Sequence, residues 1–369
     1  MSLLIDHSST SNSVLLCPPI SSKVNFQKVD ESGVLIFDTA KLQNHLPNEF
    51  IWPSGDLVNS DNTTQQELNE PLIDLGGVLR SDEEAIATAA QLVRTACLKH
   101  GFFQVTNHGI DPDLVREAYD EIDTIFDLPM DKKLSLRRKP GDVVGYDANH
   151  SNPLSFVDYF KSVVGQEFEH TGRVYQRYCE AMKELSLVIM ELLAISLGVD
   201  RMHYREFFND QRSIMRCNLY PPCISSGLTL GTGPHCDPTS LTILHQDQVG
   251  GLEVFADNKW QAVRPRHDAF VINLGDTFMA LSNGKYKSCL HRALVNEDKE
   301  RRSLVFFVSP KEDKIVRPPQ DMFARKEPRK YPDFTWSDLL EFTQNHYRAD
   351  VATLENFTPW LLSSKPSNF

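Results

Sequence analysis

The chain has no Cys-x-x-Cys pair, and its seven cysteines are odd in number and scattered: Cys17, Cys97, Cys179, Cys217, Cys223, Cys236 and Cys289. That excludes a complete disulfide frame and points to reduced thiols in a reducing compartment. Long hydrophobic runs are missing as well; nothing approaches the roughly 20 apolar residues of a membrane span. Positive charge is the scarcer sign, with 38 Lys and Arg against 50 Asp and Glu and a formal net charge of -12. A nucleic-acid binder, which needs clustered cations against phosphates, is disfavoured. The first arginine is Arg80, and Leu3-Leu4-Ile5 runs straight into Asp6, so neither a transit peptide nor a secretory leader is indicated. The expectation is a cytoplasmic monomer acting on a small molecule without nucleic-acid or membrane partners.

What is present is an ordinary globular composition, 41% hydrophobic and 24% charged. Residues 1–70 are polar and irregular, with Ser and Asn clusters, and are expected to form a loose arm with a few docked pieces such as Phe50-Ile51-Trp52-Pro53. An N-terminal, mainly helical region spans 71–200. It opens with a strand at 72–75, followed by a helix capped by Ser81 with Glu84 three residues on. A strand at 102–105 and a helix at 114–126 come next. The basic cluster Lys132, Lys133, Arg137, Arg138, Lys139 reads first as a solvated helix face. The longest helical pattern, 174–197, carries Tyr178, Met182, Leu185, Ile189 and Leu192 on one stripe and stops at Gly198. From 210 to 312 short Val-, Ile-, Leu- and Phe-rich runs alternate with Gly, Asp and Asn turns, the mark of an antiparallel sandwich or barrel. Residues 313–369 are expected to form a C-terminal helical extension, with helical spacing returning at 336–347.

The chemistry centres on Gly233-Pro234-His235-Cys236-Asp237. Alternate residues of a strand share a face, so His235 and Asp237 project into one space. A second His would complete two imidazoles and a carboxylate on one side of a metal, the facial triad of non-haem Fe(II) oxygenases. Three histidines compete. His245 reads equally as a neighbour of the metal or a packed core residue, His267 sits in an exposed turn, and His291, in a strand after the Asn283-Gly284 turn, is the best placed. Farther on, Arg301 and Ser303 share one strand face while Leu304 and Phe306 take the other. An inward Arg and Ser need an anion, and a guanidinium matches a carboxylate bidentately. If this strand and that of His291 form a hairpin, the loop around Glu297 must hold an odd number of residues for all three side chains to share a cavity. A metal-chelating acid with a distal carboxylate fits 2-oxoglutarate. It would leave one iron position for O₂.

These residues stand in a wider resemblance. His100-Gly101-Phe102-Phe103-Gln104-Val105 with Asn107-His108-Gly109, and Asn218-Leu219-Tyr220-Pro221-Pro222-Cys223, resemble signatures of the plant 2-oxoglutarate/Fe(II)-dependent dioxygenases. Leu219 stands in place of a Tyr. Within that family, the stretches 213–218, 230–238, 275–284 and 331–336 are similar to the gibberellin 20-oxidases. The resemblance implies an α+β fold: a double-stranded β-helix (jelly-roll) core with an N-terminal helical layer and a long backing helix. It implies Fe(II) on His235, Asp237 and His291, and 2-oxoglutarate contacted by Asn218, Tyr220, Arg301 and Ser303, with Arg301 central to catalysis. Ascorbate would serve as reductant, and the reaction would be stepwise oxidation at C-20 of gibberellin precursors.

One departure bears on the substrate. The group carries Leu-Pro-Trp-Lys-Glu-Thr after a Gly-Tyr, whereas Gly145-Tyr146 here runs through 147–157 to Asp158-Tyr159-Phe160 without it, shorter by about a score of residues. His245 also stands where the group has Leu. A related dioxygenase acting on a flavonoid, and an uncoupled or inactive relative, are the alternatives left open.

Overall fold

A computed structural model of the chain describes residues 5–6, 34–35, 51–52, 66–129, 168–323, 328–346 and 352–364. The short strands β1 (Ile5–Asp6) and β2 (Val34–Leu35) pair with each other. In chain order the strands that follow are β3 (Leu72–Asp74), β4 (Phe102–Thr106), β5 (Arg212–Tyr220), β6 (Leu230–His235) and β7 (Leu241–Gln246). Then come β8 (Leu252–Ala256), β9 (Lys259–Ala262), β10 (Phe270–Leu274), β11 (His291–Leu294) and β12 (Arg301–Ser309). Six of them form one sheet in the order β3-β4-β10-β7-β12-β5, and four form a second in the order β6-β11-β8-β9. From β5 onward the chain crosses repeatedly between the two sheets, which is the expected double-stranded β-helix. Strands β13 (Ile315–Val316) and β14 (Phe334–Thr335) make a separate antiparallel pair.

The helices are α1 (Gly76–Leu79), α2 (Glu83–Lys99), α3 (Pro112–Phe126), α4 (Glu169–Leu197), α5 (His203–Phe207), α6 (Asp276–Leu281), α7 (Trp336–Asn345) and α8 (Thr353–Ser364). Helix α4 buries Tyr178, Met182, Leu185, Ile189 and Leu192 against the larger sheet, and Gly198 ends it with φ 73°. Full burial of each such side chain is worth about 1.5–3 kcal/mol. One apolar core runs from α2 and α4 through Ile243, Ile272 and Phe306 of the larger sheet to Leu339 and Phe357. The regions expected at 71–200, 210–312 and 313–369 therefore share a core, and β3 and β4 complete the larger sheet. Among the described residues, no helix is long and apolar enough to cross a membrane.

Two local expectations change. The cap of α2 is Asp82, whose carboxylate accepts from the N–H groups of Glu84 and Ala85 at 3.0 and 3.2 Å. Ser81 is left-handed, φ 59°, while Asp82 has the extended backbone that a capping residue needs. Helix α8, with Pro359 inside it, lies beyond the stretch 336–347 in which helical spacing was read, within the expected helical extension. The second change concerns the hairpin. Strands β11 and β12 do not pair: β11 lies between β6 and β8, and β12 between β5 and β7. The connection 295–300 carries the chain from one sheet to the other, and its residue number is even. Hairpin parity therefore has no hold on it, because His291 and Arg301 meet across the sandwich and not along one ladder. The basic cluster Lys132–139 and the shortened stretch 147–157 lie outside the described residues.

Candidate metal and co-substrate site

Between the sheets lies a cavity of about 530 Å³ counting its open mouth. His235 ends β6, and its register partner on β11 is His291. The pairing brings the two imidazoles side by side, ring centres 4.2 Å apart. Asp237 follows two residues after His235. Its Oδ1 lies 3.5 Å from His235 Nε2 and 3.7 Å from His291 Nε2. Bonds of about 2.1 Å to one ion can span ligand atoms up to roughly 4 Å apart. Among the described residues, these three form the only group of His, Cys, Asp or Glu side chains close enough to hold a metal ion.

The groups behind the triad prepare it for a cation. His235 Nδ1 lies 2.8 Å from Gly233 O and His291 Nδ1 lies 3.1 Å from Cys289 O. Only a protonated Nδ1 can donate to a carbonyl, so both Nε2 lone pairs are left facing Asp237. Asp237 Oδ2 accepts from Thr242 Oγ1 at 2.6 Å and from Asn273 Nδ2 at 2.7 Å, which leaves Oδ1 turned toward the imidazoles. Burial works against ionisation of Asp237. The His291 and His235 rings and the Thr242 hydroxyl outweigh it and hold the carboxyl well below the usual range. Burial, with His235 alongside, pushes His291 down to about 4, so it is a neutral ligand at ordinary pH. A carboxylate and two neutral imidazoles with fixed tautomers fit a divalent first-row metal.

Farther along the same cavity, Arg301 of β12 is 1% exposed. Its Nε donates to Gly250 O and its Nη2 to Gln246 Oε1 at 3.1 Å. The guanidinium carbon lies 5.0 Å from the ring centre of Tyr220. Register pairs Arg301 with Tyr220 and Ser303 with Asn218. Asn218 Nδ2 donates to Ser303 Oγ at 3.2 Å, and the Tyr220 hydroxyl lies 3.1 Å from Thr232 Oγ1. All four expected residues line the cavity that holds the triad. Leu304 and Phe306 turn to the helices and join the main core.

Of the other histidines, His267 is exposed in a turn. His245 faces the helices: its Nδ1 lies 3.0 Å from the Tyr119 hydroxyl and its ring packs on Phe270. It is a packed core residue, away from the metal. The residues that hold the triad and the arginine were not singled out beforehand. Thr242, Asn273 and Gln246 are polar intrusions at inward positions of the strands Leu241–Gln246 and Phe270–Leu274, which apart from His245 are otherwise apolar, and that is the signal that could have marked them. Trp52 was expected to dock, and it does. Its backbone N–H donates to Leu228 O at 3.0 Å, and its indole covers Gly233, where a Cβ would come within 2.0 Å of Cη2.

Residues 211–310 match the 2OG-Fe(II) oxygenase superfamily, and residues 71–171 match the N-terminal region described as non-haem dioxygenase in morphine synthesis. The chain is 50% identical to gibberellin 20 oxidase 2 of Arabidopsis thaliana, over 91% of this chain and 93% of that protein. It belongs to the 2OG-Fe(II) oxygenase superfamily. Gibberellin 20 oxidase 1-B of Triticum aestivum is also 50% identical, over 89% of this chain and 96% of the relative. Among solved structures, JOX2 in complex with 2OG, Fe and JA superposes with a TM-score of 0.73 at 30% identity, over 88% of this chain and 98% of that one. The rice dioxygenase for auxin oxidation gives 0.64 at 25%, over 78% and 99%. The enzyme is an Fe(II)/2-oxoglutarate-dependent dioxygenase, and the triad is the donor set such an iron needs. Ninety-one per cent of this chain falls about a score of residues short of the 359 positions aligned with the Arabidopsis protein. The alignment thus passes through about that many positions with no residue here, a deficit of the same size as the absent segment.

Proposed function

We propose that this dioxygenase oxidises C-20 of gibberellin precursors in gibberellin biosynthesis. The observation that carries this reading is the 50% identity, over about nine-tenths of the chain, to several curated gibberellin 20-oxidases. In this reading His235 Nε2, Asp237 Oδ1 and His291 Nε2 hold the iron. Fe(II) held there would supply the O₂ activation that couples conversion of 2-oxoglutarate into succinate and CO₂ to oxidation of a substrate C–H bond to C–OH. The chain's own groups do the positioning. Thr242 and Asn273 keep one oxygen of Asp237 occupied so that the other stays on the metal side. Arg301 and Ser303 take the distal carboxylate of 2-oxoglutarate, Arg301 being aimed by Gly250 and Gln246. Asn218 and Tyr220 pack beside it and narrow the space left to water. We place the protein in the cytoplasm as a monomer, to be checked by cell fractionation and sedimentation.

The test is an enzyme loaded anaerobically with Fe(II) and then given 2-oxoglutarate and O₂, with succinate followed with and without a C-20 gibberellin precursor. Succinate that rises with the precursor, alongside a product oxidised at C-20, is the expected result. The deficit of about a score of aligned positions favours one second reading, an enzyme that keeps its iron chemistry but is uncoupled from gibberellin. Slow succinate release indifferent to the precursor would select that reading.

A further inference from the structure

Arg301 is not the only arginine of the sheet that faces the cavity. Strand β5 places Ile214, Arg216, Asn218 and Tyr220 on one face, and the last three line the same space as the iron triad. Arg216 has no part in the co-substrate contacts described above. Its register partner is Val305, and its guanidinium carbon lies 5.6 Å from the centre of the Phe307 ring. Leu244, Val305 and Phe307 form the apolar wall beside it.

The sheet order sets the distances. Thr242, which bonds Asp237, lies on β7 opposite Phe307, and Gln246, which bonds Arg301, lies on β7 opposite Ser303. Arg216 is level with the stretch between them, on the edge strand β5, two strands from β7. Two strand spacings come to about 10 Å. A ligand lying across Val305 and Phe307 could thus present a C–H bond at the iron and an acidic group at the edge strand.

We propose that Arg216 anchors a carboxylate of the substrate, so that this cavity selects apolar acids. This deepens the gibberellin reading and rests on it, since gibberellin precursors are diterpenoid acids. A half-buried guanidinium against an aromatic ring is suited to such a group. It matches the carboxylate with two parallel N–H donors, and its stem packs on the apolar skeleton.

The experiment compares wild type with Arg216→Gln and Arg216→Lys, each loaded with Fe(II). Steady-state kinetics are measured with a C-20 gibberellin precursor and with the mono-methyl ester of each of its carboxyl groups in turn. Binding of 2-oxoglutarate, followed by the visible charge-transfer band of its Fe(II) complex, reports whether each variant is folded and loaded. The expected result is a KM for the acid raised on the order of ten- to a hundredfold in Arg216→Gln, with partial rescue in Arg216→Lys. One ester is expected to bind wild type and Arg216→Gln alike, which identifies the carboxyl that Arg216 holds. Equal changes for the acid and every ester would overturn the proposal and leave Arg216 a packing residue. If wild type oxidises no gibberellin precursor, the gibberellin reading fails by itself. The anchor is then tested by the stimulation of succinate release across diterpenoid acids, fatty acids and their methyl esters. Preference for acids in wild type, lost in Arg216→Gln, upholds it, and no preference sinks it.

Discussion

On its outer face the six-stranded sheet is sealed by helices, and Met215, Ile243, Ile272 and Phe306 all join the main core. The four-stranded sheet rests on a much smaller apolar cluster made of Leu68, Phe102, Leu252, Val254, Ala256, Val263 and Val271. Yet the lightly supported sheet carries both imidazoles, and the heavily supported one carries Arg301, Ser303 and the side chains that orient Asp237. Asp237 is the crossing point: it leaves the end of β6 and is held by Thr242 of β7 and Asn273 of β10. The residues proposed for the co-substrate, Asn218, Tyr220, Arg301 and Ser303, therefore all lie on one sheet. The metal end spans two sheets and depends on what holds them in register.

The sharpest way to break this arrangement is at the crossing point. Asp237→Ala removes the one ligand that both sheets share. Succinate formation is expected to fall by more than about a thousandfold, because a site without its carboxylate neither holds the ion nor balances its charge. Stabilisation by added Fe(II), which for a ligand at a hundred times its Kd amounts to about 2.7 kcal/mol, is expected to vanish in thermal melts. Arg301→Gln should act on the other end alone. A lost charge-assisted pair raises the KM for 2-oxoglutarate between about ten- and a hundredfold, while the anaerobic Fe(II) affinity stays close to wild type. If both affinities collapsed together, the two ends would not be separable as drawn.

A smaller effect is expected one layer back from the metal. Thr242→Ala and Asn273→Ala each remove one of the two donors to Asp237 Oδ2, which accepts at 2.6 and 2.7 Å. Partners of this kind typically contribute ten- to a hundredfold in metal affinity, and about tenfold is expected from either change alone. Because both donors reach the same oxygen, the double variant should lose less than the product of the single losses. A fully multiplicative loss in a titration with Fe(II) would argue that they act independently.

How much of this was legible in the chain depends on whether a feature is local. Residue alternation along one strand placed Arg301 and Ser303 on one face and Leu304 and Phe306 on the other, and the helical spacing of 174–197 fell within the long backing helix. Both signals are carried by neighbours in sequence. The relation of β11 to β12 was not legible. Nothing in the connection 295–300 distinguishes a hairpin from a crossing between sheets, since a polar loop with Asn296, Glu297 and Asp298 suits either. The partners of Asp237 were hidden for a related reason. Thr242 and Asn273 are ordinary polar residues until the fold brings three strands together around one carboxylate. His245 shows the reverse case: near His235 in sequence, it lies on the opposite face of the larger sheet, against Tyr119.

The smallest expected effect concerns the exposed edge of the weaker sheet. Strand β6 is an edge strand, with β11 on one side only. Trp52 covers it: its indole lies over Gly233, whose carbonyl accepts from His235 Nδ1. If this cover keeps His235 in line, Trp52→Ala should weaken Fe(II) binding a few-fold, and Trp52→Phe less. Gly233→Ala is more telling, since its φ is not in the left-handed region and the three atoms nearest the new methyl all belong to the Trp52 indole. A Cβ within 2.0 Å of Cη2 must displace either the indole or the strand. Iron affinity should therefore fall in Gly233→Ala. It should recover in part when Trp52→Ala is added, because the clash is then gone and only the cover is missing. Strictly additive losses in that double-mutant cycle, read from Fe(II) titrations, would mean that the edge of β6 holds its imidazole without help from the N-terminal segment. The contrast between the two sheets would then rest on the metal alone.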